Sequence, residues 1–268
     1  MDLNKKILLY FFSGTGNTLW VSRQFAEEMK KHGVETKLIP LPAPLPENIG
    51  DDTAIAIAFP VYAQSAPPFV SDWIGSLPET KKGTPVVMLS TLAGSSGLVK
   101  GPFYHMLKKK GYTPIAVREF IMPPNYFHKY GEIRNSLIRE RAKLAIADFA
   151  KDIAEGKGKW AQRPAFLNIL QFIMKNIFRH GGSGWLGKGF TADRTKCTKC
   201  GLCLKLCPVD NISFGGDGYP VWTRKCEQCL RCITYCPTGA ISNRRMRLVA
   251  YPGYKCAEIK VADLIKKD

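Results

Sequence analysis

The sequence predicts an α/β protein in two parts: a doubly wound, five-stranded parallel sheet over residues 1–155 and a small α+β module over 190–243. Three observations predict it. Strand-like and helix-like segments alternate through the first part, the pattern of a parallel sheet covered on both faces. A run of small polar residues and glycines, Ser13-Gly14-Thr15-Gly16-Asn17-Thr18, sits where the first strand would hand over to the first helix. Eight of the nine cysteines fall between Cys197 and Cys236, and none precedes them.

Ile7–Phe12 is continuously apolar, as a strand buried on both faces must be. Thr18–His32 has helical periodicity and stops at Gly33. Val34–Ile39 reads as a second strand, followed by a loop with Pro40, Pro42, Pro44 and Pro46. Ala54–Phe59, Pro85–Ser90 and Pro114–Ile121 supply strands three to five. Pro68–Ser76, Leu98–Lys110 and Glu132–Glu155 supply the helices between and after them. Lys5-Lys6 ahead of the first apolar run imitates a secretory leader. That run is short and ends in the glycine loop, so a buried strand and a cytoplasmic protein are expected. No stretch approaches the roughly 18–20 apolar residues of a membrane span.

Residues 156–189 read as a basic linker. Phe166, Ile169, Leu170, Ile173 and Ile177 stand at helical spacing within Phe166–Phe178, which predicts a short helix packed between the two domains. Docking of that helix on a partner or a membrane surface is the alternative. A tail over 244–268 carries no motif, and its Cys256 is expected to be a free, partly buried thiol.

The cysteines form an internal duplication. Cys197-x2-Cys200-x2-Cys203-x3-Cys207-Pro208 recurs 29 residues later as Cys226-x2-Cys229-x2-Cys232-x3-Cys236-Pro237. Clustered cysteines in an otherwise cysteine-free chain point to metal rather than to a disulfide scaffold. Structural zinc takes four ligands in a tetrahedron and gains nothing from a third cysteine at the next triplet. An iron–sulfur cube offers several corners a few Å apart, which a loop with a cysteine at every third position can cap. The segment resembles bacterial two-cluster ferredoxins, with Cys236-Pro237-Thr238-Gly239-Ala240-Ile241 the nearest match; Asp210 and Asn211 depart mildly from the pattern. That resemblance implies two [4Fe–4S] clusters with crossed ligands. One would take Cys197, Cys200, Cys203 and Cys236, the other Cys226, Cys229, Cys232 and Cys207.

Hydroxyls and backbone N–H groups at a helix N-terminus make an anion cradle. Leu19 stands where a dinucleotide-binding loop needs its third glycine, and no Gly-Lys-Ser/Thr ending is present. The loop Ser13, Gly14, Thr15, Gly16, Asn17, Thr18 instead resembles the phosphate loop of flavodoxins, which implies FMN and a flavodoxin-like strand order of 2-1-3-4-5. Pro60, Val61 and Tyr62 after strand three would then face the isoalloxazine ring. Thr91, Leu92, Ala93, Gly94 and Ser95 after strand four would meet its polar edge. Many flavodoxins carry a second aromatic in that later loop, and here Leu92 and Ala93 stand instead. This leaves one ring face open to a cluster, to Tyr126 or Phe127, or to a substrate. Gly182-x4-Gly187-Lys188 mimics a phosphate loop but continues with Gly189 and follows no strand, so it reads as linker.

Over residues 5–155 and 190–243 the chain resembles a family of fusions between a flavodoxin-like domain and a two-cluster ferredoxin, known mainly from anaerobic bacteria and archaea. The resemblance implies an electron relay between two [4Fe–4S] clusters, an FMN and an external redox partner. A flavin-dependent reductase acting on its own small oxidised substrate is the alternative. No catalytic acid pair or nucleophilic triad is recognisable, and His32, His105, His128 and His180 have no partner pattern. The formal net charge of +17 would fall to about +11 with two clusters and a flavin phosphate bound. Such a surface suits a redox partner with an acidic docking face. Nucleic acid is not expected, because no recognition helix or aromatic-basic interleaving accompanies the charge.

Overall fold

A computed structural model describes residues 5–62, 64–94, 99–126, 130–161, 184–246, 248 and 253–266. The expected linker helix over Phe166–Phe178 lies outside these residues, as do Ser95, Phe127, His128 and His180.

The first part alternates β1 (Lys6–Phe11), α1 (Asn17–Lys31), β2 (Glu35–Pro40), β3 (Thr53–Pro60), α2 (Pro68–Ser76), β4 (Pro85–Leu92), α3 (Lys100–Lys109), β5 (Thr113–Ile121) and α4 (Glu132–Ala154). The strands pair in the order β2-β1-β3-β4-β5. All four pairings are parallel, which is the flavodoxin-like doubly wound order. Side chains alternate across the sheet, and β1 shows the consequence. Ile7, Leu9 and Phe11 join the core under α1 and α4. Leu8 and Tyr10, with Phe12 just beyond, join the core under α2 and α3. Element bounds follow the sequence expectation closely, with one extension that matters. β4 runs on through Thr91 and Leu92, which pair with Phe120 and Ile121, so these two residues are strand rather than loop.

The second part is built from short pieces: α5 (Gly184–Gly187), β6 (Phe190–Ala192), α6 (Leu202–Lys205), β7 (Ile212–Phe214), β8 (Pro220–Trp222), α7 (Arg231–Thr234) and β9 (Ile241–Asn243). β6 pairs with β9 and β7 with β8, both antiparallel. The internal duplication is visible in the backbone. Lys199 and Gln228 (φ 57° and 54°), Gly201 and Leu230 (73° and 61°), and Asp210 and Gly239 (49° and 62°) all adopt the left-handed region. Each pair is related by the same 29-residue offset. Both cysteine loops therefore turn in the same way, and Leu230 holds a conformation for which its counterpart is glycine.

The two parts share one core. Leu206 and Tyr235 of the cysteine module, and Tyr254, Cys256, Ile259 and Leu264 of the tail, belong to the cluster formed by α1, α4 and the sheet. The tail thus has a structural place that no sequence motif announces. Its Cys256 N–H donates to Thr15 O at 3.0 Å. Trp20 Nε1 donates to Glu258, and Arg23 pairs with Asp263 at 2.8 Å.

Candidate functional site

The C-terminal ends of β1, β3, β4 and β5 open into one cavity of about 470 Å³. Its walls include Ser13, Gly14, Thr15, Asn17 and Thr18 from the first loop, Pro60, Val61 and Tyr62 from the second, and Thr91, Leu92 and Ala93 from the third. Two predicted residues stand elsewhere. Gly16 caps α1 with φ 108° and turns toward the tail, where an added Cβ would lie 2.8 Å from Cys256 Cβ. Gly94 points into open space. Ser95 is not among the described residues.

Hydrogen bonds fix this wall from several directions. Thr18 Oγ1 and Thr91 Oγ1 share one at 2.8 Å. Asn17 Nδ2 donates to Pro123 O at 2.9 Å, and Asn125 Nδ2 to Thr15 Oγ1 at 3.1 Å. Tyr62 and Ser65 bond each other through both backbone groups, a tight turn with Gln64 at φ 66°. Met122, Pro123, Pro124, Asn125 and Tyr126 complete that side.

The remaining wall comes from the cysteine module, as Gln228 and Leu230, and from Met246 at the start of the tail. Nothing in their spacing marks them as cavity residues; Gln228 and Leu230 are noticeable only as the neighbours of Cys229. The seam is tight. A Cβ on Gly14 would lie 2.6 Å from Tyr62 OH and 2.7 Å from Cys229 O. Tyr235 OH donates to Thr15 O, and Arg231 Nε to Ser13 O at 2.9 Å.

A flavin phosphate and ring fit this cavity on its own chemistry. Ser13 Oγ, Asn17 Oδ1, Tyr62 OH and Gln228 Nε2 are buried with no hydrogen-bond partner among the described residues, and all four belong to wall residues. Buried polar atoms are normally satisfied, so a group of orphans around one cavity marks a polar ligand. The described wall holds no Lys or Arg. Phosphate would therefore be held by hydroxyl, amide and backbone donors at the start of α1. Burial, then the neighbouring Cys229, pushes the Tyr62 phenol well above its ordinary value, so it stays a neutral donor.

The eight cysteines gather around two voids. Cys197, Cys200, Cys203 and Cys236 line one, with Pro237 and Thr238. Cys207, Cys226, Cys229 and Cys232 line the other, with Arg231. This partition is the crossed set that the ferredoxin resemblance implies. Among the described residues no group of His, Cys, Asp or Glu converges as a single ion requires; a cube with several corners needs wider spacing. Burial raises the thiols of Cys203 and Cys229 to about 11 and of Cys226 to about 12. Such thiols stay protonated until a metal takes the charge. At Cys236 burial is outweighed by hydrogen bonds from the Thr238 hydroxyl and the N–H groups of Ala240, Thr238 and Ile241, and its thiol lies below the usual value.

Residues 196–240 match the 4Fe–4S dicluster domain. The match takes in all eight clustered cysteines. No curated protein matches the chain. Among solved structures, rubredoxin oxygen:oxidoreductase from Desulfovibrio gigas is similar at 15% identity and a TM-score of 0.39, covering 58% of this chain and 37% of that one. The chain thus spans little more than a third of that enzyme. A flavodoxin from the domain Archaea is similar at 16% identity and a TM-score of 0.34, covering 55% of this chain and 99% of that one. General stress protein 14 of Treponema denticola, in complex with FMN, is similar at 12% identity and a TM-score of 0.38, over 56% of this chain and 99% of that one. The flavodoxin-like fold rests here on strand order and pairing. No described helix is long and apolar enough to cross a membrane.

Replacing Gly14 by Ala is expected to cost about 1–3 kcal/mol through overpacking against a backbone carbonyl, a fall of about 3–9 °C in the thermal midpoint. Gly94→Ala, in open space, should leave the midpoint unchanged.

Proposed function

We propose that this chain is an electron-transfer protein that holds two [4Fe–4S] clusters and one FMN in line, serving an external redox partner. The observation that carries this reading is the seam: the turn bearing Cys229 lies directly on the phosphate loop at Gly14 and contributes Gln228 and Leu230 to the cavity wall. When bound, the clusters supply one-electron chemistry and the flavin joins it to two-electron chemistry. The chain's own part is to hold and orient. Cys207, Cys226, Cys229 and Cys232 form the inner site, next to the cavity, and Cys197, Cys200, Cys203 and Cys236 the outer one. Cys200 is exposed, which makes the outer site the one a partner can approach. Ser13, Gly14, Thr15, Asn17 and Thr18 hold the phosphate, and Tyr62 and Leu230 keep water from the ring.

A second reading, a flavin reductase acting on a small oxidised substrate, is favoured by one feature. Pro123, Pro124, Asn125 and Tyr126 extend the cavity where no second aromatic from the β4 loop fills it. Turnover of a substrate without any second protein would select it.

Material purified without oxygen is expected to contain about eight iron and one FMN per chain. On reduction, clusters and flavin should reach a common equilibrium, and cofactors that never exchange electrons would sink the relay. Cys236→Ser should lose the outer site and Cys207→Ser the inner one, each taking iron from about eight to about four; loss of both clusters in both variants would contradict the partition. The basic surface, +17 by sequence, is proposed to steer a partner with an acidic docking face. Raising ionic strength from about 0.01 to about 0.15 M should slow electron exchange with such a partner, whereas a constant rate would remove the steering.

A further inference from the structure

Arg231 is 7% exposed, at the start of α7 between two of the inner-site cysteines. Its guanidinium donates to three backbone carbonyls: Ser13 O of the phosphate loop, Leu206 O beside Cys207, and Leu264 O of the tail. None of these acceptors is a carboxylate. The same group lies 4.9 Å over the Phe12 ring. The side chain lines the inner four-cysteine void and touches the loop that walls the flavin cavity.

Isolating a full charge in a low-dielectric interior is costly unless an opposite charge answers it. Carbonyl dipoles answer it in part. The outer site offers a comparison, because the duplication places Leu202 where the inner half has Arg231. The two sites share ligand type and loop conformation but differ in their charged lining: buried Arg231 and half-buried Glu227 at the inner void, exposed Lys199 at the outer one.

We propose that Arg231 is a positioning residue that raises the reduction potential of the inner four-cysteine site above what its ligands alone would give. A four-thiolate cluster is anionic when oxidised and gains one further negative charge on reduction. A fixed cation in a dry site favours the more negative state. Because the guanidinium also holds Ser13 O, the same charge favours added negative charge on a flavin in the adjoining cavity. The outer site, with Leu202 at the equivalent position, has only the exposed Lys199, whose charge solvent screens. This inference rests on the relay reading.

The test is a potentiometric titration, followed by paramagnetic resonance and visible absorbance, of anaerobically purified holoprotein and its Arg231→Gln and Arg231→Lys variants. Cys207→Ser and Cys236→Ser assign the two cluster couples. Arg231→Gln is expected to lower the reduced-to-oxidised ratio of the inner site at least tenfold at a fixed potential, about 59 mV for a one-electron couple, and to leave the outer couple in place. Arg231→Lys, which keeps the charge, should stay within about threefold of the unmodified protein by the same constant. An unmoved inner couple, an equal fall in both couples, or a Lys variant as displaced as the Gln variant would overturn the role. Should Arg231→Gln fail to assemble, Arg231→Lys decides alone: a held potential supports the proposal and a tenfold fall overturns it. Iron-free or flavin-free protein would instead sink the relay reading, which separates the two failures.

Discussion

The close approach of the Cys229 turn to Gly14 governs the rest of this molecule. A side chain at Gly14 would collide with a carbonyl oxygen and a phenol, so only a bare backbone lets the cysteine module sit against the phosphate loop. Around that contact the chain arranges a row of hydrogen bonds that cross between its parts, from Arg231, Tyr235 and Cys256 to the carbonyls of Ser13 and Thr15. Interfaces between domains of one chain are commonly polar and permit relative motion. Here Leu206, Tyr235, Tyr254 and Ile259 continue the main core, and the interface is packed like an interior.

Internal repetition gave the cysteine module a symmetry that function then broke. The loops turn through left-handed residues at matching positions, yet one half carries Lys199, Gly201 and Leu202 and the other Gln228, Leu230 and Arg231. Cys200 is exposed while its counterpart Cys229 is half-buried at the seam. Two ligand sets of one geometry thereby acquire different surroundings. Surroundings rather than ligands are what a protein varies to separate the potentials of like clusters.

Much of this was legible from the residues. Continuous apolar runs and Gly33 placed β1 and the end of α1, because burial on both faces and helix termination leave local marks. The cysteine spacing announced loops that wrap a metal cluster, and the crossed partition was implied by the ferredoxin resemblance, because which half supplies the fourth ligand is not a property of one loop. What stayed hidden depends on contacts between distant segments. Glu258 and Asp263 read as ordinary tail charges until they meet Trp20 and Arg23. Nothing in the sequence singles out Arg231 among the basic residues, and only the fold buries it. Thr91 and Leu92 looked like loop because a strand's end is set by how far its neighbour β5 runs, which composition does not reveal.

The tail's bond to Thr15, formed by the Cys256 N–H, has a consequence for how such a chain can change over generations. A ligand loop that is buttressed by segments more than two hundred positions away is not a portable cassette. Cutting between the halves would leave the first with an uncovered apolar face and a cradle missing one side, and the second with a guanidinium that has lost one of its three acceptors. Each half is part of the other's interior.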